Sequence, residues 1–321
     1  MALVEPILRR DTSERVKQQI EAGGVNLPNL FFKYVLLGSL LFALLVIGIL
    51  IVDVVGDSWS VLSDRLGIFL SNPTRTSADE SGVFQGVRGT FWIGIFVVVF
   101  TFPLGIAAAV YLEEYAGDTR LTRMININIR NLAGVPSVVY GILGFTIFVS
   151  LLKGVYGDTG LSRGNTTTAG GLTLAILALP VVIITSAEAI RAVPASLREA
   201  AYGVGATKSE VIRSHILPYA APGILTGTLL SLARALGEAA PLILVGAVQG
   251  KLGPKTGFFE LSQLGEKFTA MPIVITDFAK QPGDQWQPVT AAAIVVLLLV
   301  VLGFNAVAVL LRNRFEGRRE G

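Results

Sequence analysis

Six stretches of this chain remain apolar for at least 21 residues each: 34–55, 90–112, 129–152, 170–190, 219–246 and 289–311. A hydrocarbon core about 30 Å thick is crossed by roughly 20 helical residues, so every one of these runs is long enough to span a bilayer. Barrel strands would be about 9–11 residues long and alternate in polarity, and none of the runs does. The expected fold is therefore all-α, a polytopic membrane protein with six transmembrane helices. Composition agrees. Charged residues make up 15% of the chain, against about 25% in soluble domains, too few to coat a water-facing surface.

Six spans return the chain to the side on which it began, and the distribution of Lys and Arg selects that side. Segments 1–33, 113–130, 191–217 and 312–321 carry 16 Lys or Arg in 88 residues, whereas 56–88, 153–168 and 248–288 carry nine in 90. The positive-inside rule makes the first set cytoplasmic, both termini included, for a multi-pass protein of the cytoplasmic (inner) cell membrane. The expected organisation is a cytoplasmic N-terminal segment (1–33), a six-helix membrane domain in the lipid bilayer (34–312) with a cytoplasmic loop at 191–218, and a cytoplasmic tail (313–321). Arg9, Arg10, Arg15 and Lys17 precede a first apolar run that starts too late and runs too long for a cleaved signal peptide. That run reads as a retained anchor. The outer loop 248–288 contains Met271-Pro272-Ile273-Val274-Ile275, expected to lie along the membrane surface or form a short helix.

The same counts remove whole functional classes. With no cysteine and a single histidine, His215, the chain offers no disulfide framework, no thiolate nucleophile and no Cys- or His-rich metal site. A net charge of +3 from scattered basic residues leaves no nucleic-acid footprint. No catalytic constellation is visible, so the chain reads as a non-catalytic membrane component.

The loop between the fourth and fifth runs has the punctuation of two short helices. Ser196 with Glu199, and Thr207 with Glu210, have the spacing of capping boxes. Gly203 and Gly205 supply the turn between them. Ala200 and Ala201 beside Tyr202 make a compact knob that another protein's groove could receive; a plain capped connection between spans fits the same residues. The segment from Gly203 to Ser209 imitates a phosphate-binding P-loop but fails its spacing, because Tyr202 and Thr207 stand where glycines are required.

Arg234 lies about 22 Å along the fifth run from Tyr219, near mid-membrane. An arginine at that depth costs roughly 2.5–3.5 kcal/mol and must be compensated. Glu238, four residues on, could neutralise it along one helix face, although basic-then-acidic is the weaker order. Alternatively, the planar fork of Arg234 meets a passing oxyanion, with Glu238 holding it and accepting from a protonated P–OH. Gly134, Pro136 and Ser137 predict a kink at the start of the third run, Gly141 a close helix approach, and Pro241 a bend in the fifth. Asn131 and Tyr140 are polar enough to line a path or to bond between helices.

Glu199-Ala200-Ala201, then Gly205, then Leu217-Pro218 resembles the EAA loop of ABC importer permeases, with His215 where that family has Ile. Arg234-Ala-Leu-Gly-Glu238-Ala-Ala-Pro241-Leu is similar to the fifth-span signature of phosphate-specific permeases of the PstA type. Asn131-Leu-Ala-Gly-Val-Pro-Ser-Val-Val-Tyr-Gly141 and Pro194-Ala-Ser-Leu-Arg-Glu-Ala-Ala-Tyr202 resemble the same family's third-span and loop signatures. The family commonly has Gly-Glu-Thr-Ala-Pro where this chain has Gly237-Glu238-Ala239-Ala240-Pro241, so one hydroxyl is missing. The resemblance covers roughly 88–312 and implies a type I ABC importer permease (MetI-like) architecture. It implies the permease subunit of an ATP-driven phosphate importer, with Arg234, Glu238 and Asn131 on the substrate path. Glu199, Ala200, Ala201, Gly205, Leu217 and Pro218 would couple to the ATPase. The implied partners are a PstC-like second permease, a PstB-like ATPase dimer and a PstS-like phosphate-binding protein, with ATP and magnesium held in the ATPase and no cofactor in this chain. The rival readings are an ABC permease for sulfate, molybdate or phosphonate, an ion-coupled secondary carrier, and a scaffold or sensor that transports nothing.

Overall fold

The computed structural model describes residues 27–156, 164–250, 252 and 257–316. The expected cytoplasmic segment before residue 27 and the tail beyond 316 lie outside the described residues. The apolar runs are helices, and no strand occurs among the described residues, as a backbone in lipid requires when every N–H and C=O must be satisfied within its own segment. In chain order they are α1 (Leu27–Asp64), the short α2 (Leu66–Ser71), α3 (Phe84–Tyr115), α4 (Arg120–Ala133) and α5 (Ser137–Gly154). There follow α6 (Thr167–Arg191), α7 (Ala195–Gly203), α8 (Lys208–Gly237), α9 (Ala240–Val245), α10 (Met271–Lys280) and α11 (Trp286–Glu316). Six of these, α1, α3, α5, α6, α8 and α11, are long and apolar enough to cross a membrane.

Two spans differ from the hydrophobic runs. The third run is split: α4 is an amphipathic helix with no buried residue, and the crossing helix begins only at Ser137, eight residues later than residue 129. Pro136 causes this, because it lacks an N–H and steers the residue before it away from helical dihedrals. The fifth run is broken as well, with α8 stopping at Gly237 and α9 starting at Ala240.

Contacts divide the chain into two units, residues 1–53 and 54–321. The described part of the first is the opening of α1, where Phe31, Leu40, Phe42, Ile49 and Val52 are all exposed. A helix apolar around its circumference belongs in hydrocarbon.

The second unit is built around α6, where 14 of 25 residues are buried and against which α3, α5 and α8 pack. Small residues allow the approach: a Cβ on Gly144 of α5 would stand 2.1 Å from Thr173 Oγ1 of α6. Hydroxyls from two neighbouring helices reinforce α6 in the turns before Pro180, Thr101 Oγ1 donating to the carbonyl of Ala175 at 2.9 Å and Ser231 Oγ to that of Ala178 at 3.2 Å. At one end of the bundle α10 packs inward, burying Met271, Val274 and Phe278 with Phe69, Val83 and Trp286. The backbone N–H of Met271 donates to Thr90 Oγ1 at 2.8 Å. The apolar stretch of the long loop is thus a short helix in a core. At the other end, Ala109, Ile190, Val193, Ala201, Val211 and Ile216 form a separate apolar cluster beneath α7.

If the α5–α6 seam depends on the missing side chain, Gly144→Leu lowers the stability of the detergent-purified protein by about 1–3 kcal/mol through overpacking. Thermal unfolding checks it; an unchanged midpoint contradicts the seam.

Candidate functional site

The candidate site begins with the break in the fifth span. Pro241 has no N–H to offer the carbonyl of Gly237 and its ring crowds that carbonyl, so α8 cannot continue. Glu238 takes an extended conformation (φ −81°, ψ 115°), and its N–H donates to the carbonyl of Ala235 at 3.2 Å. Arg234 therefore sits in the last turn of α8, where a cation complements the negative end of the helix dipole. Its Nε lies 3.8 Å from Glu238 Oε1, and the two side chains are 56% and 24% exposed. The ion pair is formed although the residues do not share a continuous helix, and it leaves more than half of the Arg234 side chain accessible.

Arg234 opens onto a narrow recess lined by Leu132, Val135, Ser137, Tyr140, Ala178 and Ser231, among others, with room for about one water. The recess sits where two helix breaks meet. A Cβ on Gly141 would stand 2.7 Å from the Cα of Pro241, so α5 touches the break in the fifth span only because residue 141 is glycine. The other break, at Gly134 to Pro136, is bridged by Tyr140, whose hydroxyl donates to the carbonyl of Leu132 at 2.8 Å. The protons of Tyr140 and Ser231 are directed at carbonyls. Toward an anion at the mouth of the recess, the donors are the guanidinium N–H groups of Arg234 and the hydroxyl of Ser137. Asn131 lies on the exposed face of α4 and does not line the recess. Tyr140, read from sequence together with Asn131 as polar enough to line a path, does line the recess, and Ser137 stands there at the expected kink; Ser231, three residues before Arg234, was passed over.

The loop between α6 and α8 forms the second element. Its Thr207–Glu210 capping box is present, Thr207 Oγ1 accepting from the Glu210 N–H at 3.4 Å and Glu210 Oε2 from the Thr207 N–H at 2.8 Å. The Ser196–Glu199 box does not form: Pro194 occupies the N-cap position, leaving Ser196 inside the first turn, and no side-chain cap bond is made. Gly205 has φ +85°, a left-handed turn that a glycine adopts at no steric cost. Glu199, Ala200 and Tyr202 are exposed, Val204 is 86% exposed and Ala201 is buried. Leu217 and Pro218 open the apolar part of α8 after a π-helical turn, Val211–Ile216, on which His215 is exposed. The loop thus presents an apolar-tipped knob on a fixed base. Sequence reading also passed over Glu113 and Glu114 at the end of α3, which bond Arg191 and Arg198 across the base of this knob.

Residues 101–317 match the family described as the binding-protein-dependent transport system inner membrane component. Similar curated proteins include the phosphate transport system permease protein PstA of Yersinia pestis, 31% identical over 243 residues that cover 76% of each chain. Another is the phosphate transport system permease protein PstA 1 of Mycobacterium tuberculosis (strain CDC 1551 / Oshkosh), 34% identical over 240 residues, 74% of this chain and 73% of that one. Among solved structures, a bacterial alginate ABC transporter in complex with an alginate pentasaccharide-bound periplasmic protein contains a chain of the same fold. It aligns with a TM-score of 0.61 at 15% identity, over 87% of this chain and 94% of the other.

The capping box supplies a direct check on the loop. Thr207→Ala removes one partner and costs the start of α8 about 0.5–2 kcal/mol, seen as faster amide exchange at Glu210 and its neighbours; unchanged protection there contradicts the box.

Proposed function

The chain belongs to the family of binding-protein-dependent transport system inner membrane components, and from that premise we propose that it is the permease subunit of an ATP-driven importer of inorganic phosphate. The observation that carries this reading is Arg234: a side chain more than half accessible, at a break in a membrane-spanning helix, facing a recess with few competing donors. A planar fork matches two oxygens of a tetrahedral oxyanion, and a break in the helix gives an anion access that an unbroken helix denies. The PstA relatives support phosphate as the anion.

In this reading the cytoplasmic side is the one that carries both termini and the 191–218 loop, in agreement with the excess of Lys and Arg there. The chain works beside a second permease, receives phosphate from a binding protein outside and docks the exposed Glu199, Ala200 and Gly205 on an ATPase dimer inside, with Ala201 seating the loop from beneath. Nucleotide and magnesium belong to that ATPase. ATP-driven closure moves α7 and α8, and the recess beside Arg234 changes the side to which it opens.

Glu238 favours phosphate over a fully ionised oxyanion such as sulfate. A carboxylate accepts a hydrogen bond from a protonated phosphate, whereas fully ionised sulfate has no proton to give. Sulfate, molybdate and phosphonate remain the alternatives, since Arg234 alone recognises any of them.

In proteoliposomes holding the complete transporter, Arg234→Ala lowers phosphate uptake by about a hundredfold or more, the loss of two charge-assisted hydrogen bonds, while the subunits still co-purify. Glu238→Gln lets sulfate compete where it does not compete in the wild type. Wild-type uptake in the Arg234 variant removes that residue from the path, and unchanged selectivity in the Glu238 variant removes its role as acceptor.

A further inference from the structure

α3 ends in a π-helical turn, Tyr111–Tyr115, whose last three residues each hold a cation from the region of the loop. Glu113 accepts two hydrogen bonds from Arg191, at 3.2 Å from Nε and 2.5 Å from Nη2. Glu114 accepts from Arg198 Nη2 at 3.0 Å. The ring of Tyr115 lies 4.9 Å from the Lys208 ammonium. The three cations come from the end of α6, from α7 and from the start of α8. Widening a helical turn to π geometry redirects consecutive side chains, and here it aims three of them at three partners.

Arg198 is the centre of this arrangement. Besides Glu114, it donates to the carbonyl of Val193 at 2.8 Å and to that of Ile190 at 2.9 Å, so one guanidinium joins α7, the end of α6 and the end of α3. The Arg198 and Glu114 side chains are only 25% and 9% exposed. A pair so shielded is not the weak, water-screened contact typical of surface ion pairs, and removing one partner strands the other. Directly beneath, Ala201 packs with Ala109 of α3 and Ile190 of α6.

We propose that Glu114 and Arg198 are positioning residues that lock α7 to α3 and α6, so that displacement of the loop by an ATP-hydrolysing partner moves these spans together rather than bending the loop alone. The inference rests on the transporter reading given above and concerns coupling, not docking: Tyr202 and Val204, the exposed tip, are untouched by it. Arg191 and Glu113 form a more open companion pair, 57% and 15% exposed, and carry less of the load.

The test uses the complete transporter in liposomes with Glu114→Gln and the conservative Glu114→Asp. Three readouts are taken: accumulation in the membrane, co-purification of the ATPase, and stimulation of ATP hydrolysis by the phosphate-loaded binding protein. Glu114→Gln is expected to accumulate and retain the ATPase but to lose stimulation by about tenfold, as removal of a hydrogen bond between charged groups predicts. Glu114→Asp is expected to recover most of it. Wild-type stimulation in Glu114→Gln overturns the inference, and so does loss of accumulation or of the ATPase in that variant, which makes the pair merely structural. An unstimulated wild-type complex overturns the transporter reading as well, so the two failures are told apart.

Discussion

The structure depends on the contact between Gly141 and Pro241. A helix interrupted inside a membrane exposes backbone groups that lipid cannot satisfy, so an interruption persists only where protein or water covers it. Here α5 comes within van der Waals reach of the Pro241 backbone because residue 141 lacks a side chain. The break at Gly134 to Pro136 is closed by the Tyr140 hydroxyl on the Leu132 carbonyl. Two interruptions that would each be costly alone support one recess, and Arg234 opens onto it.

Recess and loop are the two ends of one rigid element. From Leu217 to Arg234 the chain is continuous helix, about 26 Å at the usual rise per residue. Thr207 and Glu210 fix its start, Pro241 fixes its end, and Ser231 ties it to the carbonyl of Ala178 in α6. A shift imposed on the loop is therefore felt at Arg234 without a chain of small side-chain rearrangements. The clamp of Arg198 on Glu114 extends the same rigidity to α3.

What the sequence made readable followed from chemistry local to the chain. Run length identified the six spans, Pro136 and Pro241 marked the interruptions, and Thr207 with Glu210 marked a cap. The failures are equally physical. The hydrophobic run at 129–152 hid the fact that Asn131, Leu132 and Ala133 belong to an exposed amphipathic helix, because apolar content does not distinguish a crossing segment from one lying beside it. Ser196 has the spacing of a cap but loses the position to Pro194. The partnerships of Glu113 with Arg191 and Glu114 with Arg198 join residues 78 and 84 positions apart, a separation that no local pattern encodes. Nor does the sequence say that the proton of Ser231 is spent on Ala178, which leaves the recess more dependent on Arg234 than its list of hydroxyls suggests.

Because the chain has no cysteine, one introduced at Ser137 is a unique chemical probe of the recess. The most direct measurement is the rate at which Ser137→Cys in the assembled transporter reacts with an anionic thiol reagent, with and without phosphate and across the nucleotide cycle. The account predicts that the cysteine is reached by the reagent, that phosphate slows the reaction, and that the side from which it is reached changes when ATP is bound. A rate indifferent to phosphate and to nucleotide contradicts it.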